Sequence, residues 1–259
     1  MVSVSGRRLP FLPEEVSRQA CSGFAALTVS ELFRFPHTPH LAWLGNGTPR
    51  DDRVLSPAEA AELLSGPVVV EEKLDGANLG FSVSAQGVLL AQNRGHYLSD
   101  RHTGQFSRLR QWLAVHEDRL FDALGGDLIA FGEWCAARHS LDYSTLPDWW
   151  LLFDVFDRRA GRFWCAARRN AWAANLGLCT APELFSGRIE IRGLESLLRS
   201  QRSAFRDGAM EGVVVRREDA SWLLARTKLV RRDFSQAIVT HWRRSALVWN
   251  QLSAARMHG

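Results

Sequence analysis

The apolar residues of this chain fall into short runs that are separated by turns and helical patterns. DLIAFGEW at 127–134 and WWLLFDVF at 149–156 are typical of buried strands, and another such run starts at Val68. Two pairs of runs are joined by short polar turns and predict hairpins, one near 79–93 and one over 211–230. Because helical patterns do not alternate regularly with these runs, the sequence predicts an α+β fold with mainly antiparallel sheets flanked by helices.

The helical signals also indicate how the chain is divided. SPAE at 56–59 is a capping box with proline at the first helical position, and it predicts a helix over about 57–65. Further helices are expected near 105–121, 167–176, 192–200 and 233–256. No linker interrupts the chain before about residue 230. We therefore expect one domain over 1–230, which includes an N-terminal extension, and a short basic helical tail over 231–259.

Length and composition exclude several classes of protein. The 259 residues are enough for one large domain, and no apolar run approaches the ~20 residues that span a bilayer. Arg7 and Arg8 are not followed by the apolar stretch and cleavage site of a signal peptide. The four cysteines are widely spaced without a CxxC pair, which argues against a zinc site and a disulfide scaffold. We therefore expect a cytoplasmic protein with no membrane partner.

The basic residues are unusual in kind and in position. Of the 32 basic residues, only Lys73 and Lys228 are lysines. From Arg226 to the end of the sequence, seven basic residues and one acidic residue give a net charge of +6. The rest of the chain, with 25 basic and 27 acidic residues, carries −2. A phosphate-rich partner is one explanation for the basic segment, and a solvated basic helix is the other.

Lys73 is a candidate nucleophile. It follows the apolar run that starts at Val68 and precedes Asp75 and Gly76, and a strand that leads into a glycine turn places a side chain in a cleft. An attacking lysine must lose its proton, although the pKa of a free lysine is ~10.4. Burial or nearby cations can lower that pKa. The alternative is a solvent-exposed lysine at a strand end, but the scarcity of lysine favours the nucleophile.

Five motifs carry a family resemblance. KLDGAN at 73–78 matches the KxDGxN motif of covalent nucleotidyltransferases, which include ATP-dependent RNA and DNA ligases and mRNA capping enzymes. The other motifs follow in the family's order and are GEW at 132–134, FDVFD at 153–157, EGVVVR at 211–216 and RTK at 226–228. Asn78 and Arg94 favour the RNA ligase branch. The sequence most resembles the RNA ligase 2-like family and its small bacterial members.

The resemblance implies a reaction. Such enzymes use ATP and Mg²⁺ or Mn²⁺ to form a covalent lysyl-AMP, pass the AMP to the 5′-phosphate of an RNA, and then join that end to a 3′-hydroxyl. It also implies a role in RNA repair beside end-processing enzymes, and a nucleotidyltransferase domain. Because 31 residues follow Lys228 and they read as helix, we expect no C-terminal OB barrel.

The resemblance also assigns roles to residues around the nucleophile, Lys73. Glu72 should lie beside the adenine edge through its backbone, whereas Asn78 and Arg94 should contact phosphate or the incoming 5′ end. Glu133 would reach the ribose hydroxyls or a metal ion. Glu211 would help to bind Mg²⁺, which prefers carboxylate oxygens, phosphate and water.

Three further groups complete the implied site. Phe153 and Phe156 lie on opposite faces of a regular strand, so one of them can stack on adenine, and the motif alignment favours Phe156. Arg226 and Lys228 share a strand face and can converge on the α-phosphate. Arg226 is a departure from the family, which usually has lysine there. RNA contacts are expected in the basic tail, at Arg231, Arg232, Arg243 and Arg244.

Two other functions compete with an RNA ligase. One is a DNA-nick ligase, which would use the same nucleotidyl transfer chemistry. The other is a non-catalytic nucleotide-binding or RNA-binding module derived from a ligase. The presence of Lys73, Glu133, Glu211 and Lys228 argues against the non-catalytic module.

Overall fold

The computed structural model arranges most of the chain in two β-sheets with helices packed against them. It describes residues 32–46, 49, 52–99, 101–237 and 247–254. The helices are α1 (Pro57–Leu64), α2 (Leu109–Leu124), α3 (Ala166–Asn175), α4 (Ile191–Ser200) and α5 (Arg232–Ala237). The strands are β1 (Val68–Lys73), β2 (Ala77–Val83), β3 (Leu89–Gln92), β4 (Leu128–Trp134), β5 (Trp150–Asp157), β6 (Arg162–Phe163), β7 (Cys179–Thr180), β8 (Glu183–Gly187), β9 (Gly212–Glu218) and β10 (Leu223–Val230).

The first sheet has the strand order β10-β9-β1-β8, and all of its pairs are antiparallel. The second sheet has the order β3-β2-β4-β5-β6, again antiparallel, with β7 added in parallel to β5. Both predicted hairpins form, as β2–β3 and as β9–β10. The expected α+β fold with mainly antiparallel sheets is therefore confirmed. The strands β7 and β8 were not predicted, because neither carries a clear apolar alternation.

Alternation along the strands divides the side chains between helix-covered cores and the space between the sheets. In the first sheet, Val70 lies in a core with Leu194 of α4. In the second sheet, the rings of Phe81 and Trp150 contact that of Trp112 of α2. The opposite strand faces carry Lys73, Asn78, Arg226 and Lys228. The two sheets therefore place the motifs around a shared central space.

Two motif glycines are required by close approach of the backbone. A Cβ atom on Gly76 would lie 2.5 Å from the carbonyl oxygen of Trp134. A Cβ atom on Gly212 would lie 2.5 Å from the carbonyl oxygen of Leu229. Real Cβ atoms do not approach backbone atoms so closely, so both positions exclude any other residue without movement of the chain.

The predicted helices differ from the observed ones mainly at their ends. The capping box before α1 forms, with Ser56 Oγ accepting from the Glu59 N–H and Glu59 Oε2 accepting from the Ser56 N–H. The helix predicted from 105 instead begins at Leu109, after a 3₁₀ turn over Gly104–Phe106. None of the described helices is long and apolar enough to cross a membrane.

The helical prediction for 233–256 is wrong over residues 247–253, whereas residues 238–246, 255 and 256 lie outside the described residues. Helix α5 covers Arg232–Ala237, and residues 247–253 are extended and pack against the 135–146 loop. Their backbone pairs with that loop, which satisfies peptide groups that a helix would have satisfied internally. Among the described residues that follow Val230, no barrel is present.

Candidate active site

A cavity of about 610 Å³ opens between the two sheets, a volume within the usual range for ligand pockets. Both sheets contribute lining residues, because the inward-facing positions of β1, β9 and β10 oppose those of β2, β4 and β5. Of the residues expected to contact the nucleotide, Phe156 alone does not line this cavity. The residues that do line it are Glu72, Lys73, Asn78, Arg94, Glu133, Arg226 and Lys228.

Lys73 lies at the end of β1, where the strand passes into the Asp75–Gly76 turn. Its Nζ atom is 2.6 Å from Oε1 of Glu211, a carboxylate that is buried at the start of β9. The Lys73 side chain is 25% exposed and faces the cavity. The motif lysine and one motif glutamate therefore form a hydrogen-bonded ion pair.

The structure differs from the expectation that the pKa of Lys73 is lowered. Burial lowers it, but the nearby carboxylates of Glu211 and Glu133 outweigh burial and raise the pKa above its usual value. Without a bound ligand, the Lys73 amine is therefore an ammonium group at neutral pH. Burial and cations alone would lower the pKa of Lys73, but the fold also brings acids to the amine, and their effect is the larger one.

Two buried glutamates flank the amine. Burial raises the pKa of Glu133 to about 8, even though Oε1 of Glu133 accepts from the Gly76 N–H at 3.0 Å. Burial likewise raises the pKa of Glu211 to about 7. The Oε2 atom of Glu211 is buried without a hydrogen-bond partner among the described residues. A cation at this position would supply the missing partner.

These carboxylates fit a hard divalent ion. In the described ranges, no three His, Cys, Asp or Glu side chains are grouped as a complete protein metal site. Mg²⁺ is usually held by one or two carboxylates together with substrate phosphates and water, and does not need such a cage. Glu133 and Glu211 match that donor set, and the orphaned oxygen of Glu211 points to a missing ligand.

Glu72 has a structural side chain. Its carboxylate is buried and accepts from the Ser203 hydroxyl at 2.5 Å and from the Ala204 N–H at 2.8 Å. Burial raises its pKa, although these two bonds oppose the shift. The Glu72 side chain is therefore not solvated, and what Glu72 can offer a ligand at the cavity is its backbone.

Asn78 and Arg94 contribute polar groups to the cavity wall. Oδ1 of Asn78, on β2, is buried and has no hydrogen-bond partner within the described part of the chain. Arg94 follows β3 and is exposed at the edge of the cavity. Oδ1 of Asn78 can accept a hydrogen bond from a ligand hydroxyl, and the Arg94 guanidinium can donate to a phosphate oxygen.

The structure does not bring Phe156, the expected stacking residue, to the cavity. Phe156 is stacked on Phe33 with ring centroids 4.0 Å apart and is absent from the cavity lining, whereas Phe153 lines the cavity. The β4–β5 register shifts between Phe131 and Gly132, which leaves Phe153 as an extra, unpaired residue. This β-bulge breaks the strict alternation on which the sequence argument relied.

Arg226 faces the cavity but is held by the protein. Its guanidinium forms an ion pair with Asp154 and lies over the Phe35 ring at 4.1 Å. Asp154 also accepts from Arg216 at 2.8 Å. Arg216 in turn donates to the carbonyl oxygen of Phe153 at 3.2 Å. Arg226 therefore belongs to a buried charge network behind the Phe153 backbone.

Lys228 has a partner that the sequence did not suggest. Its Nζ atom donates to Oδ2 of Asp52 at 2.5 Å, and His40 lies 3.8 Å from the same oxygen. Burial lowers the pKa of His40 to about 4, so this imidazole is neutral at pH 7. Asp52 and Phe35 line the cavity although they precede every motif. Their region has no motif and weak periodicity, so no sequence signal identified them.

Asp75 holds the motif turn to a neighbouring loop. Oδ2 of Asp75 accepts from the backbone N–H groups of Ser140 and Leu141, each at 2.7 Å. The Asp75 N–H donates to the Tyr143 hydroxyl at 2.9 Å. The aspartate of the KLDG motif is therefore an anchor for the turn after Lys73, a role that the sequence analysis did not assign.

The four basic residues expected to bind RNA are only partly placed. Arg231 is bound to Asp233 and to the carbonyl oxygen of Leu198, at the end of α4. Arg232 is exposed and donates to Oδ1 of Asn46. Arg243 and Arg244 lie outside the described residues.

Comparison with known proteins agrees with this arrangement. The family model described as RNA ligase matches residues 66–232, which is more than half of the chain. No curated protein sequence matches the chain.

Solved RNA ligases share the fold. An archaeal ATP-dependent RNA ligase is 23% identical, with a TM-score of 0.56 over 80% of this chain and 50% of that chain. A Naegleria gruberi RNA ligase with PPi is 15% identical, with a TM-score of 0.53 over 83% of this chain and 63% of that chain. A mutant of the Naegleria enzyme with ATP and Mn is 17% identical, with a TM-score of 0.52 over 66% of this chain and 51% of that chain.

The chain thus spans between half and two thirds of the length of these enzymes. At these identities the structural matches establish a shared fold. The family match covers all five motifs, from Lys73 to Lys228. The chain belongs to the RNA ligase family.

Proposed function

We propose that this protein is an ATP-dependent RNA ligase that joins 3′-hydroxyl and 5′-phosphate RNA ends through a lysyl-AMP on Lys73. The observation that carries the proposal is the position of the Lys73 amine. It lies 2.6 Å from Glu211 in a cavity that also contains Glu133 and Lys228. The proposed nucleophile, the Glu133 carboxyl and the Lys228 cation thus line one ligand-sized space, and Glu211 contacts the amine from beside it.

The first step requires a neutral amine on Lys73. The hydrogen-bonded Glu211 carboxylate is the group placed to accept its proton. The Lys73 nitrogen then bonds to the α-phosphorus of ATP, and the bond from that phosphorus to the bridging oxygen breaks. Pyrophosphate leaves with the bond's electron pair, and AMP remains on the lysine.

Charge neutralisation is the main demand of nucleotidyl transfer. Lys228 supplies a cation at the cavity wall, where a phosphate oxygen would replace Asp52 as its partner. Glu211 and Glu133 would hold the divalent ion, Mg²⁺ or Mn²⁺, which lowers the cost of the developing phosphate charge when it is bound. Of the similar Naegleria gruberi structures, one is described with ATP and Mn and another with PPi.

Phe153 replaces Phe156 in the proposed contact with adenine. Phe153 lines the cavity beside β1, whose residue Glu72 offers only backbone groups there because its carboxylate is bound by Ser203 and Ala204. An aromatic face and a strand edge together can stack on the base and read its polar edge.

The later steps use the same cavity. A 5′-phosphate oxygen of RNA attacks the phosphorus of lysyl-AMP and releases the Lys73 amine. The RNA 3′-hydroxyl then attacks the adenylylated 5′-phosphate, loses its proton and expels AMP. Arg94, at the edge of the cavity, is placed to contact the incoming 5′ end. We also propose a role in RNA repair beside end-processing enzymes, which would supply the 3′-hydroxyl and 5′-phosphate ends.

A sealing assay tests the proposal. Purified protein, ATP and Mg²⁺ are incubated with nicked duplexes and single strands that have a 5′-phosphate and either an RNA or a DNA 3′-hydroxyl. We expect joined product with the RNA 3′-hydroxyl and none after Lys73→Ala. Joining of the DNA end alone would identify a DNA-nick ligase. Binding of RNA without any product would identify a non-catalytic module.

A further inference from the structure

The extended 247–253 segment is joined to the active site by a series of buried hydrogen bonds. Its central residue, Asn250, is 4% exposed. Oδ1 of Asn250 accepts from the Tyr143 N–H at 2.9 Å, and its Nδ2 donates to the carbonyl oxygen of Cys135 at 2.7 Å. The backbone N–H of Asn250 donates to Ala136 at 2.9 Å. One amide side chain thus ties together both ends of the 135–146 loop.

Of the two residues held by Asn250, one is close to Glu133 along the chain and the other is hydrogen-bonded to the turn after Lys73. Cys135 follows β4, the strand that carries Glu133, and is two residues from that glutamate. Tyr143 uses its hydroxyl to accept from the Asp75 N–H at 2.9 Å. Asn250 therefore bridges the strand that bears Glu133 and the loop that holds the turn after Lys73.

That turn fixes the nucleophile. Asp75 is two residues from Lys73, and its carboxylate accepts from Ser140 and Leu141 in the same loop. The next residue, Gly76, donates its N–H to Glu133 at 3.0 Å. A shift of the loop would move this turn against β4, and with it the distance between the Lys73 amine and its carboxylates.

We propose that Asn250 is a positioning residue for the Lys73 nucleophile, acting through Tyr143 and Asp75. This inference rests on the proposed function, in which Lys73 accepts AMP. Asn250 is not part of the cavity lining, so it acts without contact to the nucleotide. A fixed near-attack geometry is worth large factors in rate, and small displacements are costly.

Two variants and one control test the inference in the full chain. Asn250→Ser removes the amide that bridges Tyr143 and Cys135. Tyr143→Phe keeps the ring in place and removes only the oxygen that accepts from Asp75, so it decides the matter if the Asn250 variant does not fold. Gln251→Ala is the matched control, because the exposed side chain of Gln251 lies in the same segment.

Single-turnover formation of lysyl-AMP from labelled ATP separates positioning from folding. The amplitude measures the fraction of folded protein, and the rate constant at saturating ATP measures the chemistry. We expect the rate constant to fall by about tenfold or more in both variants, with the half-saturating ATP concentration within about twofold of wild type. We expect Gln251→Ala to match wild type. A lower amplitude with an unchanged rate constant would show a merely structural role and overturn the inference.

Amide hydrogen exchange gives a second readout that does not depend on activity. We expect faster exchange at Asp75, Ser140 and Leu141 in Asn250→Ser than in the Gln251→Ala control. If the wild-type protein forms no lysyl-AMP, the proposed function fails and the inference fails with it. If the wild-type protein does form lysyl-AMP, exchange is an independent test of the inference alone. Unchanged exchange at these three amides would then overturn it.

Discussion

Lys73 and the two carboxylates beside it determine the acid–base behaviour of the cavity. The amine and Glu211 share a hydrogen bond, and Glu133 adds a second negative charge when it is ionised. Such an arrangement stabilises the ammonium form, which cannot attack phosphorus. In the proposed reaction the Lys73 amine of the free protein is therefore protonated, and its proton must leave before the nitrogen can bond to phosphorus.

Lysyl-AMP formation should increase with pH. The pKa of Lys73 is raised, so its amine becomes neutral only as pH rises, and Glu211 and Glu133 have pKa values of about 7 and about 8, so they take up protons as pH falls. Both effects slow the reaction at low pH. Single-turnover labelling between about pH 6 and about pH 9 should show a rising rate constant. A rate constant that is flat or falls over this range would contradict the protonation scheme.

Phe153 and Phe156 form a matched pair of residues for a test of base stacking. Phe153→Ala should raise the half-saturating ATP concentration by about 5-fold to about 150-fold, because base–aromatic stacking is worth ~1–3 kcal/mol. Phe156→Ala should leave ATP use unchanged in the folded protein. It should instead reduce the free energy of unfolding by about 3–5 kcal/mol, through loss of the contacts with Phe33 and Phe163. The opposite pattern would restore Phe156 as the stacking residue.

The elements of the second sheet are linked to those of the first by buried charges. Asp154 on β5 contacts Arg216 on β9 and Arg226 on β10, and Arg216 also contacts Glu218 at 2.6 Å. Arg169 of α3 donates to the carbonyl oxygen of Phe153 at 2.5 Å. The strand that carries the proposed base-stacking residue is therefore fixed by ion pairs from β9 and β10 and by a hydrogen bond from the Arg169 guanidinium of α3.

Removal of one charge from this network should be costly. Asp154→Asn removes the ion-pair partner of the buried Arg226 guanidinium and one of the partners of Arg216, which keeps Glu218. It should lower the free energy of unfolding in urea by about 3–5 kcal/mol. Asp127→Asn is the control, because the Asp127–Arg159 ion pair is exposed and should contribute less than about 1 kcal/mol. Equal effects of the two substitutions would contradict a stabilising role for the buried network.

Regular elements were predictable where the local pattern agreed with the tertiary structure. The capping box of α1 and the β9–β10 hairpin formed as expected because their signals are local. The bulge at Phe153 was not predictable, since it depends on the register between β4 and β5. The extended 247–253 segment was also missed, because its backbone partners lie about a hundred residues earlier in the chain.

At the scale of the whole molecule, the active site is assembled from parts that are distant in sequence. The motif residues could be identified from sequence because the chemistry demands particular residue types in a fixed order. Asp52, Phe35 and Tyr143 could not be, because their roles come from contacts across the cavity. The cavity thus combines family motifs with partners supplied by this chain's own loops.

The central claim is that Lys73 carries AMP. It is tested most directly by incubating the protein with α-labelled ATP and Mg²⁺ and mapping any covalent label by peptide mass spectrometry. We predict a label on Lys73 that is discharged by RNA with a 5′-phosphate and that is absent in Lys73→Ala. A folded wild-type protein that takes up no label, or a Lys73→Ala protein that remains labelled, would contradict the account.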